Sequence, residues 1–114
     1  ANDALTAVMS EDCLWLNIWS PPQDSTQPTK KYPVMVWIHG GGFIEGTAGF
    51  ELYNGKNFAS NSSEPVVLVS IQYRLGVFGF LTDGQDLKGN QGHKDQVLAL
   101  QWVQSNINGF GGEP

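Results

Sequence analysis

Two β-branched, largely apolar runs, Val34-Met35-Val36-Trp37-Ile38 and Val66-Val67-Leu68-Val69-Ser70-Ile71-Gln72-Tyr73, constrain this chain more than any other feature. A strand with one wet face alternates apolar and polar side chains, whereas an unbroken apolar run belongs to a strand covered on both faces, typically a parallel one. Parallel neighbours need a crossover of a dozen or more residues. Residues 40–63 supply that length, and Asn57-Phe58-Ala59 reads as the end of a short helix packed on the sheet. An earlier strand is expected where Leu14, Leu16 and Ile18 alternate with Trp15, Asn17 and Trp19, with Pro21-Pro22 as its stop. Residues 23–31 lack large apolar side chains and read as an exposed loop. Residues 75–81 are apolar but broken by Gly76 and Gly79, which predicts a buried irregular loop. Beyond them Val97, Leu100, Val103, Gln104 and Ile107 recur at helical steps, so residues 92–107 read as one amphipathic helix stopped by Gly109. A strand, a crossover, a strand and a helix make the fold class α/β.

Charge and hydropathy remove several function classes. Six Lys and Arg against eleven Asp and Glu give a net charge of −5 over 114 residues. A polybasic nucleic-acid binder needs clustered cations to displace counterions from phosphates, and Lys30-Lys31 is the only basic pair. The apolar fraction of 40% with only 15% charged residues argues against intrinsic disorder. No apolar run approaches the roughly 18 residues a membrane helix needs. The start, Ala1-Asn2-Asp3, shows no secretory leader. The lone Cys13 is either a small buried thiol or one half of a bridge to a partner outside the sequence. Asn61-Ser62-Ser63 is a glycosylation sequon, which has meaning only in a secretory compartment.

The chemistry-bearing segment is His39-Gly40-Gly41-Gly42-Phe43, directly after the strand that ends at Ile38. Successive glycines open backbone conformations that a Cβ forbids and let a ligand approach the amide N–H groups. Amides exposed in this way suit a phosphate cradle or an oxyanion hole, and a purely structural turn is the third reading. The dinucleotide fingerprint requires Gly-x-Gly-x-x-Gly opening a helix. Here Gly40-x-Gly42 is followed by three residues before Gly46, and no acidic residue closes the strand at Tyr73. The oxyanion reading follows the His-Gly-Gly-Gly pattern of lipases and esterases.

Several segments together resemble the type-B carboxylesterase and cholinesterase family. They are Ser10-Glu11-Asp12-Cys13-Leu14-Trp15-Leu16-Asn17, the run from Pro33 through His39-Gly40-Gly41-Gly42-Phe43, and Tyr73-Arg74-Leu75-Gly76-Val77-Phe78-Gly79-Phe80-Leu81. Gly89-Asn90-Gln91-Gly92 with Asp95-Gln96, and Phe110-Gly111-Gly112-Glu113-Pro114, follow in the family's order. The resemblance covers the chain from about Met9 onward and implies an α/β-hydrolase fold. Residues 1–114 are then the N-terminal part of a single domain, a mostly parallel central sheet with an antiparallel first strand. The family's nucleophile elbow, acid and histidine have no counterpart in these residues.

In similar enzymes the amides of Gly41 and Gly42 donate to the oxyanion, with Gly40 and His39 supporting the motif. His39 is expected to order the loop by hydrogen bonding, and His93 to be a solvated side chain; neither is expected to be the triad base. Ser10, Ser60 and Ser70 lack a Gly-x-Ser-x-Gly context and are not expected to be nucleophiles. The resemblance gives Cys13 an upstream disulfide partner, which with the sequon at Asn61 implies a secreted or luminal protein. Asp3 and Ile44 stand where cholinesterases carry aromatic residues of the choline gorge, so a general carboxylesterase or lipase is expected. Phe43, Phe78 and Phe80 are candidates for an acyl pocket, with core packing as the competing role.

The resemblance thus implies a serine hydrolase of small-molecule or lipid carboxylic esters, needing no cofactor or metal, no nucleic acid and no transmembrane segment, but requiring the remainder of its domain. Alone, residues 1–114 are expected to be inert and poorly soluble, because the strand at residues 34–38 is left with a bare edge. The alternatives are a non-catalytic adhesion or scaffold member of the same family and a small stand-alone α/β binding module.

Overall fold

A computed structural model describes residues 10–23, 25–27, 29–61 and 63–114. Strands β1 (Leu16–Trp19), β2 (Tyr32–Ile38), β3 (Val67–Ile71) and β4 (Gly112–Glu113) form one sheet in the order β1-β3-β2-β4. The central pair β2 and β3 is parallel, with Val34 opposite Val67 and Ile38 opposite Ile71. Strand β1 runs antiparallel to β3, with Asn17 opposite Ser70. The crossover between β2 and β3 carries a 3-10 turn (Glu51–Tyr53) and helix α1 (Lys56–Asn61). Helices α2 (Gly76–Phe80) and α3 (Gln91–Asn106) follow β3, and a second 3-10 turn (Ile107–Phe110) leads into β4.

Side-chain alternation divides the sheet into two faces. Val67, Val69 and Ile71 are buried on one face with Val103 and Ile107 of the C-terminal helical segment, and Leu16, Ile18, Val34, Val36 and Ala99 pack against them. Burying an aliphatic side chain stabilises by about 1.5–3 kcal/mol, so this cluster fixes the register of all three long strands. On the other face Trp37 packs against Tyr53 of the crossover, with ring centroids 4.3 Å apart and the planes tilted by 45°. Gly55 packs there so closely that a Cβ would meet Trp19 at 2.8 Å, so only glycine lets the crossover approach the sheet.

Four expectations change. Residues 75–81 are not an irregular buried loop: residues 76–80 form α2, where Val77 and Phe78 are 66% and 80% exposed. One helical turn fits because Gly79 lies against the Arg74 carbonyl, a place a Cβ cannot occupy. The contact face of α3 is Gly92, Asp95, Ala99 and Val103, whereas Val97 and Leu100 of the expected stripe are exposed. The helical stop is Gly111, at φ 83°, after the 3-10 turn has carried the chain past Gly109. Finally, β2 lacks the cover expected on both its faces, and its outer edge pairs only at Tyr32 and Pro33, with Gly112 and Glu113 of β4. Among the described residues Val34 to Ile38 have no strand on that side, and Met35 and Ile38 are exposed rather than covered. No helix among the described residues is long and apolar enough to cross a membrane.

Candidate active site at the glycine loop

The glycine loop leaves the C-terminal end of β2, beside the point where β3 releases Gln72 and Tyr73. Open α/β sheets present ligand sites at the carboxyl ends of their strands, so the loop stands in the right place for one. Gly41 and Gly42 have φ values of 119° and 61°, and Gly46 has 123°. A Cβ on Gly41 would collide with the Glu45 carbonyl, whereas one on Gly42 would meet nothing within 4 Å.

Hydrogen bonds within the loop run through its carbonyls. The Gly41 carbonyl accepts from the amides of Ile44 and Glu45, both at 3.1 Å, and the Phe43 carbonyl accepts from the Gly76 amide at 2.7 Å. The amides of Gly41 and Gly42 donate to no described residue, and residues 40–45 are exposed. Buried amides left unpaired are costly, so unpaired amides belong at the surface, where water or a ligand can accept from them.

His39 lies beneath the loop, 2% exposed. Its Nδ1 lies 3.0 Å from the Gly40 carbonyl, so that nitrogen carries the hydrogen, and its ring stacks at 4.5 Å on Tyr73. The Tyr73 hydroxyl donates to the His39 carbonyl at 2.8 Å, and burial raises the phenol's pKa. Nε2 of His39 is buried without a partner among the described residues. Gly46 closes the other side, where a Cβ would sit 2.6 Å from the His39 Nδ1.

The far end of the loop is tied to the sheet by polar side chains that sequence reasoning did not single out. Gln72 accepts from the Ala48 amide at 2.8 Å and donates to Thr47 Oγ1 at 3.3 Å. Asn17 donates to Ser70 Oγ at 3.1 Å, so Ser70 is a buried cross-strand partner. The signal for Asn17 and Ser70 was the one polar residue in each apolar strand. Arg74 and Asp95 form an ion pair at 2.7 Å that ties the chain after β3 to α3. Opposite charges in a weakly charged chain were the available hint for it.

The structure brings some predicted residues together and separates others. Phe43, at φ 63°, has its ring 5.2 Å from Phe80, 5.1 Å from His93 and 6.4 Å from Tyr73. A non-glycine residue in that left-handed region costs on the order of 1–3 kcal/mol and persists only where its surroundings hold it. Phe78 points elsewhere, exposed on α2, and Ile44 is also exposed. His93 is exposed but edge-on to two rings rather than simply solvated. Cys13 is half-buried and unpaired. Asn61 ends α1, and its side chain lies outside the described residues, as do Asp3 and Met9. Among the described residues no cluster of three or more His, Cys, Asp or Glu side chains is disposed to hold a metal ion. One surface depression lies along α3, lined by Asn90, His93, Lys94, Val97, Leu98 and Gln101, and it does not include the glycine loop.

Comparison with known proteins bears on the whole chain. The model of the carboxylesterase family matches residues 1–114. Acetylcholinesterase of Danio rerio is 52% identical over 109 residues, 94% of this chain and 16% of the relative. Liver carboxylesterase of Sus scrofa is 52% identical over 113 residues, 98% of this chain and 19% of the relative. Carboxylesterase 1D of Mus musculus is 54% identical over 106 residues, 92% of this chain and 18% of the relative. The chain therefore spans less than a fifth of the length of these three relatives. Matched along its entire length, and sharing half its residues with named esterases, the chain belongs to the carboxylesterase family.

Proposed function

We propose that this chain supplies the oxyanion-hole segment of an α/β-hydrolase domain that hydrolyses carboxylic esters. The observation that carries the reading is the pair of unpartnered, exposed amides at Gly41 and Gly42, at the carboxyl end of a central parallel strand. In this mechanism an activated serine elsewhere in the domain attacks the ester carbonyl. The carbonyl carbon becomes tetrahedral, and its oxygen takes up the displaced electron pair. Two preorganised N–H donors stabilise that charge without reorganising, and each such donor is worth about 100- to 1000-fold in turnover. The alcohol then leaves, and water releases the acid from the acyl-enzyme. His39 fixes the peptide at Gly40 from below and takes no part in proton transfer.

Residues 1–114 are one part of that domain and are inert alone. The radius of gyration, 16.5 Å, exceeds the roughly 13 Å of a compact domain this long, in keeping with sheet surface that further chain covers. The acetylcholinesterase and the two carboxylesterases lie within 52–54% identity, so overall identity does not choose between their substrates. Ile44 beside the motif, in place of an aromatic ring that would hold a quaternary ammonium, favours uncharged esters of small alcohols or lipids. The family resemblance favours a secreted or luminal protein, with Cys13 bridged upstream and Asn61 glycosylated.

The test is turnover of p-nitrophenyl acetate, a long-chain p-nitrophenyl ester and a choline ester by the complete domain, alongside labelling by a serine-directed fluorophosphonate. Hydrolysis of the uncharged esters with one equivalent of label is expected, and residues 1–114 alone should do neither. Absence of both turnover and label in the folded complete domain would overturn the assignment in favour of a non-catalytic family member.

A further inference from the structure

The most constrained residue of the glycine loop is the one that is not glycine. Phe43 holds a left-handed backbone at φ 63° directly after Gly42, a conformation that side chains other than Asn and Asp rarely take. Its ring forms a closed triangle with Phe80 at 5.2 Å and His93 at 5.1 Å, and these two rings meet each other at 5.4 Å, nearly perpendicular at 87°. Edge-to-face contacts of this length are favourable beyond the area they bury. The corners come from three different places: the loop after β2, helix α2 and the first turn of α3. The Phe43 carbonyl is held as well, by the Gly76 amide at 2.7 Å. Main chain and side chain of one residue are thus anchored to the two helical elements that follow β3, and the two amides that lack partners sit immediately before it.

We propose that Phe43, Phe80 and His93 form a positioning clamp for the Gly41 and Gly42 amides, with His93 serving as an aromatic wedge rather than as an acid or base. The inference rests on the oxyanion reading above and assigns the work of aiming its donors. Phe43 as a residue is 46% exposed, so the competing role is that of an acyl-pocket wall, and the two make opposite kinetic predictions. Loosening a clamp removes stabilisation present only in the transition state, so kcat falls and KM holds. Removing a pocket wall changes KM and the preference for acyl length.

The experiment uses the complete domain with His93→Ala, His93→Phe, Phe43→Ala and Phe43→Tyr, each normalised to active sites titrated with a fluorophosphonate. Expected are losses of about tenfold or more in kcat for Phe43→Ala and about three- to tenfold for His93→Ala, with KM within about twofold. Binding of a trifluoromethyl ketone, which becomes tetrahedral at the site, should weaken by the same factor as kcat/KM. Phe43→Tyr and His93→Phe, which keep an aromatic edge, should recover most of the loss. If Phe43→Ala does not fold, the exposed His93 pair carries the test. An unchanged kcat per titrated site, a shift in KM or acyl-length preference without loss of kcat, or a His93→Phe variant no better than His93→Ala each overturns the clamp while leaving the esterase assignment standing. A wild-type domain that neither turns over esters nor takes the label overturns both.

Discussion

Asp95 receives three hydrogen bonds from one residue: Arg74 reaches it at 2.7 Å through Nε and again through Nη2, and the Arg74 amide at 3.1 Å. The two partners are unequally buried, the Asp95 side chain being 4% exposed and that of Arg74 38%. That asymmetry predicts unequal mutational costs. Arg74→Met strands a buried carboxylate with only the backbone amide to answer it, and is expected to cost about 2–4 kcal/mol. Asp95→Asn leaves a guanidinium that can turn to water and is expected to cost about 1–2 kcal/mol. Urea unfolding of the complete domain measures both, and equal costs would contradict the asymmetry.

The same pair sets an acid limit. Burial by itself favours the neutral Asp95 carboxyl, but the hydrogen bonds and charge of Arg74 outweigh it and hold the pKa below the ordinary carboxylate range. A carboxylate with a depressed folded pKa stabilises fully above its unfolded value, about 3.9, and loses that contribution as pH falls through its folded value. The gap in urea midpoint between wild type and Asp95→Asn should therefore be constant above about pH 5 and shrink below about pH 4. A gap that widens on acidification would reverse the sign and refute the argument.

Adjacent glycines of the loop should respond differently to the same methyl group. Gly41→Ala drives a Cβ into the Glu45 carbonyl, so the loop must open to accept it. Gly42→Ala meets empty space and bears only the strain of φ 61°, about 1–2 kcal/mol. On the oxyanion reading Gly41→Ala is expected to lower kcat on the order of 100-fold or more, and Gly42→Ala by less than about tenfold. Steady-state kinetics of the two variants in the complete domain would show the order, and a reversed order would mean that steric fit does not govern the loop.

How much of this was readable beforehand depends on the physics of each element. The strands were legible because Val67, Val69 and Ile71 bury themselves by hydropathy alone, and the glycine loop because Gly41 and Gly42 need backbone freedom that composition announces. Helix α2 was hidden, since two glycines and exposed Val77 and Phe78 give no helical pattern; what permits the turn is the close fit of Gly79 on the Arg74 carbonyl. The contact face of α3 was misjudged because Gly92 and Asp95 carry it: one has no side chain, and the other is an ion whose partner lies 21 residues earlier. Contacts between Phe43 and His93 depend on how the loop and α3 meet in space, which no local periodicity encodes.

Gln72 offers the most direct check on how the loop is anchored beyond its glycines. Its side-chain oxygen accepts from the amide of the buried Ala48 at 2.8 Å, and its nitrogen donates to Thr47 at 3.3 Å. Gln72→Leu shortens the side chain by one atom, removes both polar ends and leaves a buried N–H without an acceptor, at a cost of about 1–3 kcal/mol. Gln72→Glu retains the acceptor and loses only the longer donor bond, so it should cost about 1 kcal/mol or less. Hydrogen exchange localises the effect: the Ala48 amide should exchange faster in Gln72→Leu and stay protected in Gln72→Glu. Equal exchange in the two variants would mean that the Ala48 amide is protected by burial alone and that Gln72 does not anchor the loop.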